Sequence, residues 1–204
     1  MQGCLVRFQR IRNKRKRDKN NPRSAKMVQT EQVQSEMIMK MSSQGLELLK
    51  AIEEYRAIPY DDQTGKDIVN WVPGATVGYG HLIKGSEWPG FRGREVDEAE
   101  AEELFQADLS PFENCVMGAI DESYQLAEQE FDALVFLAYN IGQRGFTNSS
   151  VVKIVNDEYA DTAYDSLEDA WMAWNKSQGK VMKGLENRRA AEWAIYCDGI
   201  YERW

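Results

Sequence analysis

Glu53 stands at the end of an apolar-periodic run, and Asp61 and Asp62 follow it closely. Ser42 and Ser43 are N-cap candidates for that run, in which Leu46, Leu48, Leu49, Ile52 and Tyr55 recur at helical spacing. On a helical wheel these five side chains fill one wide arc, with Glu47, Lys50 and Glu54 opposite. Glu53 falls between Leu46 and Leu49, at the edge of the arc. A carboxyl held there loses part of its hydration, which raises its pKa and suits a general acid. A surface glutamate whose tip escapes to water fits the same wheel and is the commoner outcome. Asp61 and Asp62 lead into a glycine-rich stretch, where a turn can aim a short carboxylate back at the helix end. Two carboxylates in unlike settings across a cleft form the usual glycoside-hydrolase pair, although Asp-rich turns are also common in plain loops. Taken alone, Thr76 reads as a strand threonine, and Gly78-Tyr79-Gly80-His81 as a turn with a capping histidine.

The elements that must position these residues are mainly helices. Pro59 is expected to end any helix before it. Residues 60–85, with β-formers in Ile68–Val72 and Ala75–Ile83, read as a small irregular sheet or pair of hairpins. Helix resumes over 96–109, and Ser110 followed by Pro111 reads as the start of another. Residues 129–142 are apolar on nearly every side, which predicts a central buried helix closed by Gly142. Asn148 or Ser149 caps the next helix, and two more are expected near 161–175 and 184–203. Trp171 and Trp174 read as core rather than as sugar-stacking rings. No internal repeat occurs, and the pattern predicts an α+β fold with a small β-containing lobe against a larger helical one.

The chain has 204 residues, of which 43% are hydrophobic and 28% charged, enough for one core shared by two lobes. The net charge of −8 is unevenly spread: residues 1–26 carry +9 and the remainder −17. That pattern predicts a basic, disordered extension over 1–30 attached to an acidic folded body over 31–204. An acidic body argues against nucleic acid as a partner, since a duplex-binding face needs fixed positive charge. The three cysteines form no metal-binding spacing and His81 is the sole histidine, so neither a metal nor a cofactor is expected. No membrane-spanning run or ordinary signal peptide is read.

Together, the segment LLKAIEEYRAIPYDD and the later ATVGYGH resemble the phage-type lysozymes, glycoside hydrolase family 24, which include the lambdoid-phage endolysins. Glu53, Asp62, Thr76, Gly78, Gly80 and His81 match the motif positions, and further blocks down to NRRAAEW follow in family order. The resemblance implies a lysozyme-like fold, two lobes flanking a cleft, and a muramidase that hydrolyses the β-1,4 bond between N-acetylmuramic acid and N-acetylglucosamine in peptidoglycan. It implies Glu53 as the general acid, Asp62 as the group that positions or deprotonates water or stabilises positive charge, and Thr76 as a holder of that water. Leu82, Tyr139 and Ser149 fall where the family contacts sugar. Arg188 matches an arginine that pairs with the catalytic glutamate, and His81 is expected to pair with Asp108. Two departures stand out. Thirteen residues separate Asp62 from Thr76 where the family usually has five, and Glu54 occupies a position that is often glycine.

A lytic transglycosylase is the alternative on the same scaffold, and retention of Asp62 and Thr76 favours hydrolysis. The expected protein is a monomer made in the host cytoplasm that acts in the periplasm after holin-dependent release. Its basic residues 1–26 are expected to engage anionic outer-membrane lipopolysaccharide.

Overall fold

The computed structural model describes residues 39–204, so the expected basic extension lies outside the described residues. Helix α1 (Ser43–Glu53) begins at Ser42, whose Oγ accepts the Gly45 N–H at 3.0 Å. It ends at Glu53, before Pro59, which lies inside the first strand. Strands β1 (Arg56–Asp61), β2 (Ala75–Gly78) and β3 (His81–Leu82) form an antiparallel sheet in that order. Thr76 sits in the middle of it, opposite Tyr60 on one side and Leu82 on the other. Ile68–Val72, expected as strand, is not one. The Trp71 indole donates to the Ile83 carbonyl at 2.9 Å and its ring covers Gly85, while Pro73 has no N–H to give a ladder. The segment takes backbone bonds at its ends, where the Ile68 N–H donates to the Pro59 carbonyl at 2.9 Å and the Val72 carbonyl accepts the Ala75 N–H at 3.0 Å, and between them the Trp71 indole ties it down.

The small lobe packs Ala75, Val77, Ile83, Trp88, Phe91, Val96 and Ala101 into a core of its own. Helix α2 (Glu98–Ala119) leaves that core at Ala101 and enters the larger one at Phe105, Leu109 and Val116. It runs unbroken through Pro111, so the helix start expected at Ser110 is absent. Pro111 lies on the exposed face, and the carbonyl whose i+4 donor it removes belongs to Ala107, also an exposed residue. The buried stripe Phe105–Leu109–Glu113–Val116 continues past it on the other face, which offsets the missing hydrogen bond.

Helix α3 (Glu128–Ile141) is the centre of the large lobe, with every residue from Glu130 to Ala138 buried, and Gly142 caps it as expected. After it come α4 (Gln143–Thr147), α5 (Ser150–Asn156) and α6 (Leu167–Met172). The helix expected over 161–175 shrinks to α6, and a hairpin of β4 (Lys176–Ser177) and β5 (Lys180–Val181) follows. Gln178 and Gly179 both have positive φ, as a two-residue hairpin loop demands. Helix α7 (Lys183–Asp198) packs mainly on α3 and stops at Gly199, short of residue 203. Trp171 is fully buried in the large core, and Trp174 packs against it. Among the described residues, no helix is long and apolar enough to cross a membrane and no residue cluster could hold a metal ion.

Candidate active site

Glu53 closes α1 at the edge of its buried face and is itself only partly covered. Burial pushes its carboxyl above the ordinary glutamate range, and the Arg188 guanidinium pulls it partway back. Opposite stands the turn after β2. Gly80 has φ +89 and its backbone comes so close that a Cβ there would lie 3.6 Å from Glu53 Oε2. The turn thus brings main chain against the acid.

The structure separates the two aspartates. Asp61 is spent on its own turn: its carboxylate accepts the Gln63 N–H at 3.0 Å and the Thr64 hydroxyl at 2.8 Å. Asp62 is exposed, and its carboxylate lies so tightly over Gly74 that a Cβ there would overlap it. The Gly74 carbonyl accepts both the Asp62 N–H and the Thr76 hydroxyl, each at 3.0 Å. One peptide unit therefore ties Asp62 to Thr76. With its proton given to Gly74, the buried Thr76 Oγ1 keeps its lone pairs for a donor such as water. Neither Glu53 nor Asp62 accepts a side-chain hydrogen bond from a described residue.

Tyr60 and Tyr139 connect these groups. Burial raises the Tyr60 phenol; Arg56, whose guanidinium lies 3.9 Å over the ring, lowers it, and both Glu53 and Asp62 push it up again. The two carboxylates therefore act on the same ring. Tyr139 is raised by burial first and then by Glu53 and Asp108, with Arg188 opposing. Its ring packs 5.0 Å from that of Phe112. Leu82, beside Thr76 in the sheet, is 57% exposed. Ser149 is only 3% exposed, and its Oγ accepts the Val152 N–H at 3.2 Å as the cap of α5, so its hydroxyl already serves the fold. His81 Nδ1 lies 2.9 Å from Asp108 Oδ2, joining β3 to α2. Arg188 does not form the expected ion pair with Glu53; its Nε donates to Glu192 Oε1 at 3.0 Å, and it acts on Glu53 through its field.

Sequence reasoning missed Arg56 and Tyr60 at this site. Their even spacing on a strand was the available signal, weakened by an irregularity of register between them.

The family model described as Phage lysozyme matches residues 50–192. An endolysin of Bacillus phage PZA is 35% identical over 167 residues, covering 79% of this chain and 56% of the relative, so the chain spans about half of that protein's length. An endolysin of Salmonella phage P22 is 30% identical over 159 residues, covering 78% of this chain and 99% of the relative. Among solved structures, the endolysin of Escherichia coli O157:H7 phage FAHEc1 superposes with a TM-score of 0.62 at 29% identity, covering 81% of this chain and 98% of that one. The α+β lysozyme fold, the ordered site motif and the family match converge: the chain belongs to the phage lysozyme family.

Proposed function

We propose that the chain is a muramidase that hydrolyses the β-1,4 bond between N-acetylmuramic acid and N-acetylglucosamine in peptidoglycan. The single observation that carries this reading is the unlike setting of two carboxylates. Glu53 is half-buried and holds its proton to higher pH, while Asp62 is exposed and takes no side-chain partner among the described residues. A protonated acid is needed at the leaving oxygen and an anion near the attacking water. Glu53 protonates the glycosidic oxygen. Asp62 orients or deprotonates water on the opposite face, and Thr76 Oγ1 accepts a hydrogen bond from that water. Displacement by a held water inverts the anomeric centre. Leu82, Tyr139 and Ser149 line the sugar path, Ser149 while also capping α5.

The test is mass analysis of fragments released from purified sacculi. Hydrolysis gives reducing muropeptides, whereas fragments one water lighter, with an anhydro ring, would establish a transglycosylase instead.

The reading extends to release and targeting. The enzyme is made in the host cytoplasm, reaches the periplasm through a holin and acts there as a monomer. Residues 1–26, outside the described residues, use their +9 charge to engage anionic lipopolysaccharide. Each Lys or Arg near an anionic surface contributes about 1 kcal/mol, and salt screens it. A chain beginning at Met27 should match the full chain on purified peptidoglycan in high salt and be weaker against intact Gram-negative cells in low salt. Equal killing at low ionic strength would remove the targeting role.

A further inference from the structure

After α7 the chain turns at Gly199, and residues 201–204 run back along α1, the helix that carries Glu53. The Tyr201 hydroxyl donates to Asp132 Oδ2 at 2.6 Å, and the same carboxylate accepts the Ser42 N–H at 2.9 Å at the start of α1. Arg203 Nη2 meets Glu54 Oε1 at 3.1 Å just past its end. The Trp204 ring lies 5.3 Å from Arg188 Cζ. Tyr201, Arg203 and Trp204 thus reach, in turn, the start of the catalytic helix by way of Asp132, the residue just past its end, and the cation that acts on its acid.

Arg188 needs such a contact. Its Nε is fixed on Glu192 at 3.0 Å, but among the described residues the far end of the guanidinium has as hydrogen bond only a 3.5 Å contact from Nη2 to the Phe136 carbonyl. A planar cation anchored at one nitrogen can still swing about that anchor, and an aromatic face limits the swing. We propose that residues 201–204 form a clasp on the site, in which Trp204 is a positioning residue that holds the Arg188 guanidinium where its charge acts on Glu53. This inference rests on Glu53 being the general acid. The titratable groups acting on or influenced by Glu53 are Arg188 from α7, Tyr139 from α3 and Tyr60 from β1, and Arg188 alone of these is a cation.

The experiment measures kcat, KM and the alkaline limb of the pH–rate profile on solubilised peptidoglycan, with the full chain. Trp204→Leu keeps a smaller apolar side chain and removes the π face; Trp204→Phe also loses volume but keeps an aromatic face. Trp204→Leu should lower kcat several-fold, leave KM unchanged and move the alkaline limb upward by about half a pH unit. Trp204→Phe should restore the limb. Arg188→Gln should move it the same way and further, and adding Trp204→Leu to Arg188→Gln should then change nothing more. An unmoved limb in Trp204→Leu, or equal shifts in both backgrounds, overturns the clasp. Glu53→Gln is the separate control: if it retains near wild-type activity, the general-acid reading fails whatever Trp204 does.

Discussion

Glu53 and Glu192 are both carboxylates drawn out of water, and burial pushes both upward. Their partners differ. Glu192, on α7, is fully buried and accepts Trp171 Nε1 at 3.0 Å, Arg188 Nε at 3.0 Å and Arg189 Nη2 at 2.8 Å. Among the described residues Glu53 has no side-chain donor, and it feels Arg188 through its field. A carboxylate whose lone pairs are filled by two guanidiniums and an indole can hold helices together but cannot pass a proton to a ligand. One left open at a cleft can. Burial alone therefore does not mark an acid catalyst; burial without hydrogen-bond partners does.

Substitutions can break this contrast. The largest effect is expected at Glu53. Glu53→Gln keeps the shape and removes the acidic proton, and turnover should fall ~10²–10⁴-fold, with Asp62→Asn also severe; release of muropeptides from sacculi at near wild-type rate would refute the assignment. Glu192→Ala should act on the fold instead. Two buried guanidiniums lose their counter-charge, which typically costs about 3–5 kcal/mol. Urea unfolding reads this directly, and a loss below about 1 kcal/mol would mean that the network is not structural.

The helix ends sharpen the comparison. Helix α7 stops on Gly199, in the left-handed region, whereas α1 stops on Glu54 with φ 56 and ψ 134, a conformation that disfavours side chains. This backbone accounts for the glycine common at that position in the family. Glu54→Gly should stabilise the protein by roughly 1 kcal/mol, less the small worth of the exposed Arg203 pair; a lower Tm would contradict the strain.

Much of the layout was legible in the sequence. The Ser42 cap, the wheel position of Glu53 and the all-round apolar pattern of α3 each follow from local periodicity, which burial reinforces. What could not be read depends on contacts distant along the chain. Pro111 signals a helix start, but a stripe buried on two lobes carries the helix through. Ile68–Val72 has strand composition, yet Trp71 finds its partner on Ile83. The hairpin after α6 is too short for an alternating pattern, leaving only Gln178-Gly179 to mark it. The motif spacing selects Asp62 over Asp61, but the reason lies in the turn, where the Gln63 N–H and the Thr64 hydroxyl occupy the Asp61 carboxylate and leave Asp62 open. Arg188 carries the expected identity but a different partner, because Glu192 lies one turn along its own helix.

A smaller effect concerns stability and pH. Because the folded pKa of Glu53 is raised above its unfolded value, the associated stability is fully present below the unfolded pKa and lost as pH rises through the folded one. Glu53→Gln removes that loss. Its Tm should exceed that of the parent at neutral pH, and the difference should vanish below about pH 4. A Tm gap that does not change with pH would show that burial does not tax this carboxylate.

The most direct measurement is the titration of the Glu53 side-chain carboxyl by carbon-detected NMR, set beside the alkaline limb of the rate profile. The account predicts a midpoint above the ordinary glutamate value of about 4.3 that coincides with that limb. A midpoint at or below that value, or one well separated from the limb, would contradict Glu53 as the proton donor.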